Sequence, residues 1–271
     1  MTEHQTDAVL AETLRGVAAD PPLVHCLTNI VVAGFTANVL LAIGASPAMV
    51  ENVEEAAPFA AIAGAVLINL GTLSDERTLA MRLAAASARE HGVPWVLDPV
   101  AVGALEHRTA LAVHLLEERP SVIRGNGSEI QALAAASGAV SKSGSGSAGR
   151  GVDSLASSDD AVDAACALAV ARSCVVAVSG ATDYITDGTT TLAIGGGHPL
   201  MSRVTGMGCA LGAVIAAAAA REEDPLTAAG GASAVFATAG EQAAEGSAGP
   251  GSFAVAFVDR LAALSAASST P

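Results

Sequence analysis

The chain has 271 residues, of which 51% are hydrophobic, 3% aromatic and 15% charged. That balance excludes a disordered, collagenous or disulfide-stapled chain and suits one α/β domain over residues 1–271, built mostly from small aliphatic side chains. With 13 basic against 27 acidic residues the formal charge is −14 and Lys142 is the only lysine, so no nucleic-acid partner is expected and an anionic ligand must be met locally, by backbone amides, a metal or a few placed arginines.

The N-terminus carries no basic segment followed by an apolar run, so no signal peptide is expected. Cys26, Cys166, Cys174 and Cys209 are scattered without a CxxC pair. A structural zinc is therefore not expected, and the reading is a cytoplasmic protein with reduced thiols.

Residues 24–38 (VHCLTNIVVAGFTAN) and 45–51 (ASPAMVE) are apolar stretches dotted with His25, Thr28, Asn29, Thr36 and Asn38. They suit the lining of a pocket for a small, partly apolar alcohol, with Asn29 bonding polar atoms and Met49 packing on a ring. His25 reads better as a satisfied structural histidine than as a base.

Four short aliphatic runs follow at 65–70 (AVLINL), 94–98 (PWVLD), 121–124 (SVIR) and 174–179 (CVVAVS), each the pattern of a fully buried strand. A helix is predicted over 75–91, with Leu79, Arg82, Leu83 and Ala86 on one stripe and Gly92 as its stop. Residues 137–151 (SGAVSKSGSGSAGRG) predict a flexible Ser/Gly surface loop, and helical periodicity resumes over 158–172.

Residues 184–186 and 190–194, joined through Asp187-Gly188, read as a hairpin. From Gly208 onward the pattern is helical, with breaks at Asp224-Pro225 and 246–251 that give about three helices. The uncharged stretch 204–220 is short for a membrane span and poor in bulky side chains, so a buried helix is expected and no membrane association. Strand and helix alternating this often predict a three-layer sandwich: a mainly parallel sheet, helices on both faces and an antiparallel edge hairpin.

Ligands of such sheets bind at the carboxyl ends of the strands, where the polar residues here collect. At VTGMGC, Gly206, Met207 and Gly208 precede Cys209 at the start of a long helix. Their free amides could form an anion hole for a transferring phosphoryl group. A thiol in that first turn is expected to have a lowered pKa, suiting a base for an attacking alcohol; the alternative is a small residue chosen for packing.

At RGNGSE, Asn126 and Glu129 stand three apart after a strand. They suit Mg²⁺, which keeps most of its water and phosphate ligands, or else a helix capping box. Arg124 is placed to neutralise a nucleotide phosphate. Asp98, ending another strand, is read either as the holder of a metal-bound water or as a turn-forming Asp-Pro.

With these motifs in view, the chain resembles the hydroxyethylthiazole kinases of the ribokinase-like superfamily over residues 21–264. VHCLTN, TAN, LAIGASPAMVENVEEA, LINLGTLS, VLDPV, VIRGNGSEI, GVDS, AVSGATDYITDG, GGHPLMSRVTGMGC and GPGSF occur in the family's order and spacing. The resemblance implies a ribokinase-like fold and ATP- and Mg²⁺-dependent phosphorylation of 4-methyl-5-(2-hydroxyethyl)thiazole in thiamine salvage. It also implies a homotrimer with active sites at subunit interfaces.

By the same resemblance Met49 and Gly206 contact the thiazole with Asn29 nearby, Arg124 and Ser179 contact ATP, and Asp98 and Glu129 organise the metal. Cys209 takes the place of the catalytic aspartate of other ribokinase-like enzymes. Three positions depart from the family's usual pattern: Met207 where a small residue is common, Ser179 for Thr, and Ala101 for Gly. Met207 is expected to crowd the anion hole or narrow the pocket. Competing expectations are a kinase for another heterocyclic alcohol such as hydroxymethylpyrimidine, an ATP-dependent dehydratase of hydrated nicotinamide cofactors, and a non-catalytic binder.

Overall fold

Alternation inside each buried run decides the layering. In β3 (Ala65–Asn69), Ala65 and Leu67 point into one core while Val66 and Ile68 point into the other. β6 (Val175–Ser179) repeats this, with Val175 and Ala177 on the first side and Val176 and Val178 on the second. A strand covered on both faces has no polar side to offer, which is why these runs lack polar alternation.

The computed structural model describes residues 3–140 and 157–268. β1 (Leu23–Leu27), β2 (Ser46–Ala48), β3, β4 (Trp95–Asp98), β5 (Val122–Asn126) and β6 are parallel; β7 (Asp183–Thr186) and β8 (Thr191–Ile194) complete the sheet as an antiparallel edge hairpin. The strand order is β2-β1-β3-β4-β5-β6-β7-β8. β1 and β2 are strands where the sequence suggested only a pocket-lining stretch, because His25 and the brevity of β2 mask the strand pattern.

One face carries α1 (Glu3–Ala19), α2 (Ala33–Ala42), α8 (Met207–Ala219), α9 (Pro225–Ala244) and α10 (Pro250–Ser268); the other carries α3 (Val53–Ile62), α4 (Asp75–His91), α5 (Glu106–Leu115), α6 (Gly127–Ala136) and α7 (Ser158–Arg172). The result is the expected three-layer α/β sandwich. The predicted loop at 137–151 lies, from residue 141 on, outside the described residues.

α4 has the predicted bounds and ends at Gly92 in the left-handed region, but its stripe is turned. Leu79 and Leu83 are 47% and 37% exposed, whereas Ala80, Met81, Ala84, Ala85 and Ala88 are buried. The alanine face lets neighbouring elements approach closely, and that contact outweighs the bulk of two leucines. α8 is a 13-residue helix buried in the core, as the short uncharged stretch suggested. α10 is long and apolar enough to cross a membrane by length and composition alone, yet its Phe253, Phe257 and Leu261 face is buried against the core.

Candidate active site

The parallel register gathers polar residues at one edge of the sheet. Asn69 ends β3 beside Asp98 at the end of β4, and Asn126 ends β5 beside Ser179 at the end of β6. α8 begins at the same edge. Its N-cap is Gly206, at φ +92°, so no side chain caps the first-turn amides of Met207, Gly208 and Cys209.

Two close approaches explain the glycines. A Cβ on Gly206 would lie 2.7 Å from Val32 Cγ1, and one on Gly208 would lie 2.6 Å from Arg124 Nη1. The guanidinium therefore lies directly against the start of α8. Met207 is only 6% exposed and packs into the core.

A buried hydrogen-bonded chain runs beneath the helix start. Asn29 Nδ2 donates to Asn69 Oδ1 at 3.0 Å and also lies 3.5 Å from Cys209 Sγ. Asn69 Nδ2 donates to Asp98 Oδ2 at 2.6 Å, and Arg124 Nη1 lies 3.8 Å from that oxygen. Arg124 Nε donates to Ser179 Oγ at 3.2 Å. Cys209, Asn29, Asp98, Arg124 and Ser179 are thus brought into one cluster, and Met49 stands half-buried just after β2.

Burial sets the electrostatics. The Cys209 thiol is pushed up to about 11, first by desolvation and then by the Asp98 charge, against the pull of Arg124 and the Asn69 and Asn29 amides. The lowered pKa expected of a helix start does not hold, and Cys209 is a neutral thiol in the resting chain. Asp98 is raised to about 7 by desolvation, opposed by Arg124 and reinforced by Glu129.

Asn126 and Glu129 form the capping box of α6. Asn126 Oδ1 accepts the Glu129 N–H, and Glu129 Oε2 accepts the Asn126 N–H, each at 3.0 Å. Glu129 Oε1 accepts the Ala101 N–H at 2.8 Å. Ala101 sits at φ +62°, which is the backbone reason a glycine is favoured there.

The donor set fits a hard, water-rich cation. Among the described residues Asp98 Oδ1 is buried without a hydrogen-bond partner, and the neighbouring Glu129 carboxylate retains acceptor capacity beyond its two amides. Among the described residues no cluster of three His, Cys, Asp or Glu side chains could enclose a metal, so such an ion would keep most of its shell as water and phosphate.

His25 is buried, with Nε2 2.7 Å from Val50 O and its ring edge-on to Phe59, but Nδ1 finds no hydrogen-bond partner among the described residues, so the expected structural histidine is only half satisfied. Asn38 is exposed. Sequence reasoning missed Asn69 and Asp183. Asn69 was visible as the lone polar residue closing an apolar strand; Asp183, whose carboxylate accepts the Gly180 N–H and feels Arg124, follows the β6 turn with no such mark.

The family model describing the hydroxyethylthiazole kinase family matches residues 14–267. A hydroxyethylthiazole kinase of Granulibacter bethesdensis is 56% identical over 246 residues, covering 91% of this chain and 86% of that one. One of Klebsiella pneumoniae is 52% identical, covering 96% and 98%. Among solved structures, the hydroxyethylthiazole kinase protein of Pyrococcus horikoshii matches with a TM-score of 0.85 and 38% identity, over 94% of this chain and 93% of that one. A ribokinase-like superfamily protein of Enterococcus faecalis shares the fold, with a TM-score of 0.64 at 13% identity over 95% and 94% of the two chains. By the span of the family model and the identity to these relatives, the chain belongs to the hydroxyethylthiazole kinase family.

Proposed function

We propose that the chain transfers the γ-phosphoryl group of ATP to the hydroxyl of 4-methyl-5-(2-hydroxyethyl)thiazole, a Mg²⁺-dependent step of thiamine salvage. Family membership supports the reaction. The observation that carries the site is the buried chain from Cys209 through Asn29, Asn69 and Asp98 to Arg124, under a helix start that only glycine allows Arg124 to approach.

In this reading Met49, Gly206 and Asn29 bound the thiazole and Cys209 Sγ orients its hydroxyl. Arg124 and Ser179 hold ATP phosphate, and the amides of Met207, Gly208 and Cys209 take the charge of the group in flight. Asp98 and Glu129, with Asn126 through water, would hold Mg²⁺, which when bound supplies charge neutralisation between the phosphates. Transfer through a loose transition state leaves the alcohol's proton to depart late, so a neutral thiol that positions the hydroxyl suffices and a strong base is not required.

The reading takes residues 1–271 as one kinase domain. Assembly as a homotrimer with shared sites is supported by Ile30 and Val31, which stand 69% and 63% exposed beside Asn29 and would be covered by a second copy. Four free cysteines, one of them in the site, fit a reducing cytoplasm.

A coupled ADP-release assay with ATP and Mg²⁺ tests the function, run with the thiazole alcohol, with hydroxymethylpyrimidine and with no acceptor. Thiazole-dependent ADP together with the phosphorylated thiazole is expected. A higher kcat/KM for the pyrimidine, or acceptor binding without turnover, would overturn it.

A further inference from the structure

One guanidinium outside the reacting cluster ties together the three segments that bound the acceptor pocket. Arg77 lies in the first turn of α4, whose N-cap is Ser74, and its side chain is 15% exposed. Its Nη1 donates to Thr28 O at 3.3 Å, Thr72 O at 3.4 Å and Thr72 Oγ1 at 3.1 Å, and its Nη2 pairs with the Glu51 carboxylate. Thr72 Oγ1 also accepts the Ile30 N–H at 3.1 Å.

Thr28, Glu51 and Thr72 follow β1, β2 and β3, and each neighbours a residue of the pocket. Thr28 precedes Asn29, and Glu51 is two residues past Met49. Thr72 follows Gly71, whose N–H bonds Asn69 Oδ1 and where an added Cβ would lie 2.6 Å from Asn29 Cβ, so only glycine leaves room for Asn29. Thr72 itself sits at φ +45°, a conformation that a β-branched residue adopts only when its surroundings hold it there.

We propose that Arg77, with Glu51 and Thr72, is the positioning element of the acceptor pocket, acting through Asn29 and Met49 to hold the acceptor hydroxyl at Cys209 without touching substrate. The inference rests on reading this pocket as the alcohol site. Charge-assisted bonds in a largely enclosed setting hold three loops in one register, whereas Arg124 and Ser179 on the nucleotide side bond each other and reach Asn29 only through Asn69 and Asp98. Loss of the clamp should therefore fall mainly on the acceptor, since small displacements of an acceptor are costly.

The test compares Arg77→Met, Thr72→Ala and Thr72→Ser with the wild type. Arg77→Met and Thr72→Ala are expected to raise the acceptor KM by about tenfold or more while the ATP KM stays within about twofold. Thr72→Ser keeps the hydroxyl and is expected to restore the acceptor KM to near the wild-type value. Both KM values rising together, neither moving, or Ser behaving as Ala would overturn the proposal.

Hydrogen exchange provides a readout independent of substrate identity. Arg77→Met should speed amide exchange at 28–31, 49–51 and 69–72 while leaving 124–129 and 206–209 unchanged; uniform or absent acceleration counts against the clamp. If the wild type does not turn over the thiazole alcohol, the functional reading fails and the exchange comparison still decides the clamp.

Discussion

Cys209 is subject to two opposed influences. The open amides of the α8 start favour a thiolate, while enclosure and the Asp98 carboxylate disfavour it, and the balance leaves the thiol near 11. Alkylation by iodoacetamide, followed at this residue by mass spectrometry, should then be about a hundredfold slower near pH 7.5 than a thiol of ordinary pKa allows, and should keep rising beyond pH 10. Restricted access slows labelling at every pH, so the shape of the profile is the diagnostic. A plateau below pH 8 would show a stabilised thiolate and restore Cys209 as a resting base.

Among elements, the turn after β4 carries the clearest local conflict. Ala101 holds φ +62° because its N–H is fixed to Glu129 Oε1, which the capping box of α6 fixes in turn. A left-handed alanine costs about 1–2 kcal/mol, offset by about 0.5–1 kcal/mol of extra unfolded-chain entropy when glycine replaces it. Ala101→Gly is therefore expected to stabilise the chain by up to about 1 kcal/mol, seen as a higher urea midpoint at unchanged slope. A lower midpoint would mean that the Ala101 methyl makes contacts worth more than the strain.

The same scale marks what the chain made legible. α4 and α7 could be bounded from periodicity, with Gly92 as the stop of α4, and the structure shows the Ser74 and Ser157 N-caps that begin them. Which face of α4 is buried was not legible, because that depends on how closely α3 packs. Cys209 and Arg124 announced themselves through glycines and a scarcity of bases. Asn69 joins the candidate site only when the β3–β4 register sets it beside Asp98.

For the molecule as a whole, one buried imidazole gives stability a pH dependence of predictable sign. His25 is fully buried against Val50 and Phe59, its Nδ1 has no partner among the described residues, and desolvation lowers its pKa below the ordinary 6.5 despite the bond to Val50 O. As pH falls through 6.5 the unfolded chain takes up a proton that the folded chain refuses, so the stabilisation present above 6.5 is lost below it, at no more than about 1.4 kcal/mol per pH unit. Falling pH also relieves the repulsion within a chain of formal charge −14, an effect of opposite sign spread over many carboxylates. His25→Gln separates the two, because glutamine can still donate to Val50 O but does not titrate. Denaturant titrations at pH 8, 6.5 and 5.5 should show the wild type losing stability relative to His25→Gln below pH 6.5, and parallel curves would mean that His25 is protonated without cost in the folded chain.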